Sequence, residues 1–377
     1  MPGFVNDKEQ HYTKLLTLEP LTVRSWRKHQ YKKHPYFYLI RYQNFKKIDY
    51  IEEKILKFAK EYENFYIVLN NVFEGYAYQS FWYIQEFVKT NNLENKVIYL
   101  CGHLDSEKEY TSWCAHRSLI EEFKVMSFNV FFGSAQCEYS EYASKFTQNK
   151  NKWFCCLNHR QHPHRIATVT YLDYLNMLDE GIVTSHDKSY EDGTQFSNYE
   201  ESILHSSKFW QLSYSKILKK QYLITAEKLP LIYDNVYLTD GGHSNTFNAE
   251  IYNQCLINLI TETYYLNIWN FHSEMFLTEK TLRSILSKQI FIIIGPKGML
   301  QRLKSFGFIT FSDFFDESYD DCPDSTRVFT VVDTLRNIME NYDIDELNEK
   351  TLHIREHNLK ILLKGNFNIN LKDALGL

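Results

Sequence analysis

Several short runs of this chain are apolar at nearly every position, and segments of helical period separate them. They are Tyr36 to Ile40 (YFYLI), Phe65 to Leu69 (FYIVL), Lys96 to Leu100 (KVIYL), Trp153 to Leu157 (WFCCL), Leu256 to Ile260 (LINLI) and Gln289 to Ile294 (QIFIII). A strand with one wet face alternates apolar and polar residues. A run without alternation reads as a strand covered on both faces. Between the first two runs, Asp49 to Glu61 carries Ile51, Ile55, Leu56 and Ala59, one face of a helix. Strand, helix and strand in repetition predict an α/β fold with parallel sheets and crossover helices.

The same reading extends along the chain. A helix-like segment runs to Lys89, and Lys124 to Phe132 (KVMSFNVFF) suggests an edge strand. A second unit starts near Asn151, with WFCCL followed by a helix-like Arg165 to Leu178. Ser185 to Ser207 is polar and reads as a surface loop, and Lys208 to Leu229 is basic. Gly298 to Phe306 predicts a helix, Phe308 to Phe311 (FITF) a short strand, and Ser325 to Leu363 a helical tail. At 377 residues the chain is comfortable for two domains, and two α/β halves facing a cleft are the economical architecture. The expected boundaries are 1–150, 151–330 and a tail over 331–377.

Composition enters as exclusion. A formal net charge of −5 argues against a general electrostatic grip on nucleic acid or an anionic membrane. The seven cysteines are odd in number and lack C-x-x-C spacing, which predicts structural thiols in a reducing cytosol. MPGFVNDKEQHY has no apolar core and is not a secretory signal. IFIIIG falls far short of the ~20 residues that span a bilayer. The expectation is a cytoplasmic protein without a membrane span.

In open α/β sheets ligands bind beyond the carboxyl ends of the strands, against helix N-termini. The polar residues there are Asn70, Asn71 and Glu74 after FYIVL, and His103 and Asp105 after KVIYL. After WFCCL come Asn158, His159, Arg160, His162, His164 and Arg165. LINLI is followed by Thr261, Glu262 and Thr263, and Glu279-Lys280 opens the next helix. Gly295-Pro296-Lys297-Gly298 ends the last run. Arginine forks match phosphate oxygens and lysine serves as a point charge, so Arg160, Arg165, Lys280 and Lys297 are candidate phosphate ligands. Glu262 and Glu279 are candidate acceptors for sugar hydroxyls. No G-x-x-x-x-G-K-[ST] and no G-x-G-x-x-G is present, so neither a P-loop nor the dinucleotide fingerprint is supported. His159, His162 and His164 beside Cys155-Cys156 lack zinc-site spacing and lie among arginines, so no metal is expected. The acidic run Asp313, Asp316, Glu317, Asp320 and Asp321 lacks the glycine and spacing of a calcium loop and reads as a linker.

The span from Tyr252 to Gly295, YNQCLINLITETYYLNIWNFHSEMFLTEKTLRSILSKQIFIIIG, resembles the donor-binding motif of the α-1,3-fucosyltransferases. Glu262 matches the glutamate that ends that motif's first strand, and Thr278, Glu279 and Lys280 match its Thr-Glu-Lys. Phe276 stands where the family has a tyrosine. The chain is more similar still to fucosyltransferase-like reading frames of bacteriophages and marine bacteria, which share the EGY turn at Glu74 to Tyr76 and the tail GFITFSDFFDESYD (Gly307 to Asp320). The resemblance covers Asn151 to Asp320 best. It implies a GT-B glycosyltransferase, two Rossmann-like domains facing a central cleft. The C-terminal domain would hold a nucleotide-sugar donor, and the N-terminal one a hydroxyl-bearing acceptor. Lys280 with Arg160 or Arg165 would neutralise the diphosphate, and Glu279 would bind ribose hydroxyls.

Glycosyl transfer leaves negative charge on the departing diphosphate, which such cations stabilise without a metal or cofactor. An inverting enzyme then needs a carboxylate to take the acceptor proton, with Glu74 first and Asp105 second. His103 is a third. Two other readings stand beside this one. A phage-type enzyme would glycosylate a hydroxymethylated base in DNA, for which Lys14, Arg24, Arg27, Lys28, Lys32, Lys33, Arg41, Lys46 and Lys47 supply local basicity. A module binding sugar nucleotides or glycans without catalysis is the other.

Overall fold

The computed structural model describes residues 36–42, 48, 51–72, 78–147, 150–159, 161–186, 201, 203, 207–233, 248–265, 275–365 and 367. The elements of the first half are β1 (Tyr36–Arg41), α1 (Glu53–Glu61), β2 (Phe65–Asn71), α2 (Tyr78–Asn91), β3 (Val97–Cys101), α3 (Ser106–His116), β4 (Lys124–Ser127) and α4 (Val130–Tyr142). The second half begins with β5 (Lys152–Leu157), α5 (Pro163–Tyr174), β6 (Gly181–Thr184), α6 (Leu212–Ala226), α7 (Ala249–Gln254) and β7 (Cys255–Thr261). There follow α8 (Glu279–Leu286), β8 (Ile290–Ile294), α9 (Met299–Ser305), α10 (Asp324–Asn341) and α11 (Ile344–Lys364). The fold is mixed α/β with two four-stranded parallel sheets. The chain separates into two compact units. One holds Met1–Ser134, Glu274–Leu277 and Asn366–Leu377; the other holds Ala135–Ser273 and Thr278–Gly365. The first division thus falls inside α4, ahead of the point near Asn151 expected from the sequence.

The first unit carries the sheet β1-β2-β3-β4, stepped in chain order. Successive parallel steps in one direction, joined by right-handed crossovers, put every connecting helix on the same face. The side chains show this. Phe65, Ile67 and Leu69 of β2 and Val97, Tyr99 and Cys101 of β3 share one core with Ile55, Phe81, Ile84, Val88, Tyr110 and Trp113 from α1, α2 and α3. Their alternates Val68, Ile98 and Leu100 pack on the opposite face with Met126, Phe128 and Val130. Both faces are buried, which is why the runs are apolar throughout.

KVMSFNVFF is a strand only to Ser127; from Val130 it is helix. Asn129 makes the switch, its side-chain oxygen accepting the amide of Phe131 at 3.0 Å in the manner of a helix cap.

The second unit has the order β6-β5-β7-β8. The chain steps from β5 to β6 on one side, then returns to lay β7 along the other side of β5. That reversal is a topological switch point, and it lies at the carboxyl ends of β5 and β7. The first sheet has no such reversal among its described strands. β6 approaches β5 closely at Gly181, where a Cβ would stand 2.6 Å from the carbonyl oxygen of Phe154.

The helical tail belongs to this unit, with α10 on α5 and β8 and α11 on α8. FITF forms no strand, because its backbone groups are taken by side chains. Glu317 accepts from the amide of Phe311 (2.7 Å) and the hydroxyl of Thr310 (2.6 Å), while Asn358 pairs with both backbone groups of Ile309. The acidic run is therefore built into the fold rather than a free linker. Asp320 accepts from the amides of Leu300 and Gln301 at the start of α9.

Candidate functional site

The switch point of the second sheet gathers the end of β5, the start of α5, the end of β7 and the start of α8. Its floor is polar. Asn158, just past β5, accepts from the Thr261 hydroxyl at 2.6 Å and so ties the two central strands together where they diverge. His164, in the first turn of α5, donates through Nε2 to the carbonyl of Glu262 at 2.9 Å and stacks on Tyr265. Burial, and then the charges of Arg165, His162 and Lys280, hold this imidazole well below the ordinary histidine range. It is a neutral donor at physiological pH.

Glu262 is the organising residue. It is fully buried, and its carboxylate receives four donors from its own chain. They are the hydroxyls of Thr278 and Thr281, each at 2.6 Å, and the amides of Thr263 (3.2 Å) and Thr278 (3.3 Å). Its amide donates to Ile294 of β8. The sequence suggests Glu262 as an acceptor for sugar hydroxyls; in the structure its carboxylate takes donors of its own chain. With its oxygens occupied and no exposed surface, it fixes the entry of α8 instead.

Thr278 is likewise engaged by its own chain. It is the N-cap of α8, its hydroxyl shared between Glu262 and the Lys280 amide. Thr281, which sequence reasoning passed over, supplies the other strong bond. Its only signal was its position one helical turn after Thr278, which puts both hydroxyls on one face.

Glu279 and Lys280 are the groups this frame presents. The Lys280 ammonium lies 3.1 Å from the Glu279 carboxylate and 3.2 Å from the hydroxyls of Thr263 and Thr278. These distances exceed the 2.7–2.9 Å of good charge-assisted bonds, and the side chain keeps 26% of its surface exposed. A phosphate can therefore compete for it. Burial works to raise the Glu279 carboxyl, yet Lys280 and Arg283 together hold it below its ordinary value. It stays an anion able to accept from hydroxyls.

Arg165 is buried in the first turn of α5, its guanidinium 3.5 Å from the carbonyl of Glu262. His162, the N-cap residue of α5, makes no side-chain cap bond among the described residues, and Pro163 occupies the opening position. A helix start with a first-turn arginine suits an anion.

Lys297 is more than half exposed and faces Asp321 at 3.5 Å. Asp320 already occupies the helix start beyond the Gly295–Gly298 turn. Asp105 belongs to the first unit, at the start of α3, a quarter exposed and paired with Lys108 at 3.3 Å. His103 is buried there, its two ring nitrogens within hydrogen-bond reach of the amides of Asp105 and Met275, which makes it a brace rather than a base. Glu74, Arg160 and the basic residues between Lys14 and Lys33, with Lys46 and Lys47, lie outside the described residues.

His159 pairs with His186 at 3.2 Å instead of converging with His164. Among the described residues no group of three or more His, Cys, Asp or Glu is placed to hold a metal ion, and no helix is long and apolar enough to cross a membrane. Comparison with protein-family models, with curated proteins and with solved structures finds no match for this chain.

Proposed function

We propose that the chain is a glycosyltransferase of GT-B architecture whose second unit binds a nucleotide-sugar donor at the switch point of its sheet. The observation that carries this reading is the buried Glu262 carboxylate, which takes the hydroxyls of Thr278 and Thr281 and so holds the start of α8, while the charges of both Lys280 and Arg165 act on His164 in the first turn of α5. Two cations and a helix N-terminus at a parallel-sheet switch point make a diphosphate site. Glu279, an anion beside them, supplies the acceptor that ribose hydroxyls need.

In the reaction the sugar–phosphate bond breaks and negative charge develops on the departing diphosphate. Lys280 and Arg165 stabilise that charge, so the chemistry does not depend on a divalent ion for it. The sugar passes to a hydroxyl whose proton goes to a carboxylate, with Glu74 and Asp105 as the candidates. Attack from the face opposite the leaving group inverts the anomeric centre.

The test incubates nucleotide sugars with a panel of hydroxyl acceptors, glycans and hydroxymethylated DNA among them, and follows release of nucleoside diphosphate. Release that requires an acceptor, and falls about 100-fold or more in Lys280→Ala, supports the reading. Equal release by wild type and variant would sink it.

A further inference from the structure

We infer that Gln161 reads the nucleoside half of the ligand: its side-chain oxygen takes a hydrogen bond from a ribose hydroxyl or a base N–H. This rests on the donor site proposed above and deepens it.

Gln161 sits between β5 and α5, just before His162, the residue from which α5 starts. It is 4% exposed. Its amide nitrogen donates to the carbonyl of His186 at 2.5 Å, so the side chain reaches across to the end of β6. Its Oε1 is buried and has no hydrogen-bond partner among the described residues. Exchanging the two amide atoms would not help, since it would set oxygen against the His186 carbonyl. A buried acceptor left unmade is costly, and such an atom calls for an explanation.

The topology supplies one. In doubly wound sheets the phosphates lie at the turn after the strand at the switch point, and the nucleoside extends over the neighbouring strand. Here the first strand is β5 and the neighbour is β6. Doubly wound dinucleotide folds place a carboxylate at the corresponding position to hold the ribose. This chain has Thr184, Ser185 and His186 there, with His186 packed against His159 and its carbonyl bound to Gln161. On the β6 side the acceptor is the amide oxygen of Gln161, in addition to the one that Glu279 offers from α8.

Calorimetric titration of wild type and Gln161→Met with inorganic diphosphate and with the common ribonucleoside 5′-diphosphates tests this. Methionine keeps the length of the side chain and removes the acceptor. The expected result is an unchanged affinity for inorganic diphosphate and a loss of about tenfold for the nucleotide. Retained diphosphate binding also shows that the variant is folded. Repeating the comparison with the 2′,3′-dideoxynucleotide separates the two donors. A loss that disappears there assigns the bond to ribose, and a loss that persists assigns it to the base.

Equal nucleotide affinity in the two proteins, with diphosphate binding intact, overturns the role of Gln161 and leaves the donor site standing. Failure of wild type to bind either ligand overturns both. Should Gln161→Met not fold, a crystal structure of wild type with the nucleotide decides. A ligand nitrogen or oxygen about 3 Å from Oε1 is expected, and a bound nucleotide that leaves Oε1 without a ligand donor refutes the inference.

Discussion

The hydroxyl of Thr278 donates to the carboxylate of Glu262 at 2.6 Å, and both residues are buried. One bond therefore joins the end of β7 to the cap of α8 and sets where the Glu279-Lys280 pair emerges. Glu262→Gln replaces one acceptor oxygen with an amide that faces donors. The expected cost is about 2–3 kcal/mol of stability, read from urea unfolding, together with loss of nucleotide binding. Stability within about 0.5 kcal/mol of wild type would mean that the network is not sensed.

His164 predicts a pH dependence. Its folded pKa is depressed, chiefly by burial, so between the ordinary histidine value and the folded one only the unfolded chain takes the proton. The unfolded state then binds more protons, and stability falls as pH drops below about 6.5. The slope from this residue is at most about 1.4 kcal/mol per pH unit. A His164→Asn variant should show a flatter stability profile between about pH 5 and 6.5. An unchanged slope would place the titration elsewhere.

Much of the fold was legible because the strands are buried on both faces. WFCCL, LINLI and IFIII announce themselves by continuous apolarity. The order of the strands was not legible. Nothing in those runs says that β7 lies beside β5 instead of β6, because parallel neighbours are set by how α5 and α8 pack. The helix from Val130 is not legible, because FNVFF suits strand as well as helix and a single Asn129 contact decides between them.

At the site, Glu262 and the Thr-Glu-Lys cluster could be found by position, but the role of Glu262 could not. Whether a carboxylate serves a ligand or its own chain depends on what surrounds it, here the hydroxyls of Thr278 and Thr281. Gln161 left no mark in the sequence for the same reason. Its interest lies in its Oε1, which has no hydrogen-bond partner among the described residues.

Arg327 predicts a stability effect remote from the chemistry. It is 1% exposed and donates to the carbonyls of Gly295 (2.9 Å) and Cys322 (2.7 Å from Nη2), and to Asp324 (2.6 Å). It also lies over the ring of Tyr265, on which His164 stacks. Arg327→Met leaves those acceptors without their donor, and unfolding should become easier by about 3 kcal/mol or more. A loss under about 1 kcal/mol would contradict the clamp.

The central claim is that Lys280 serves a nucleotide diphosphate at the switch point. The most direct measurement is the melting temperature of wild type and Lys280→Ala across a panel of nucleoside diphosphates and nucleotide sugars, with and without magnesium. A ligand at a hundred times its dissociation constant adds about 2.7 kcal/mol to the native state, a shift of several degrees. The account predicts that one nucleotide family raises the wild-type melting temperature. It also predicts that Lys280→Ala, melting close to wild type when alone, loses that rise. No rise with any nucleotide, or an equal rise in the variant, would contradict it and leave the Glu279-Lys280 pair as the start of a helix.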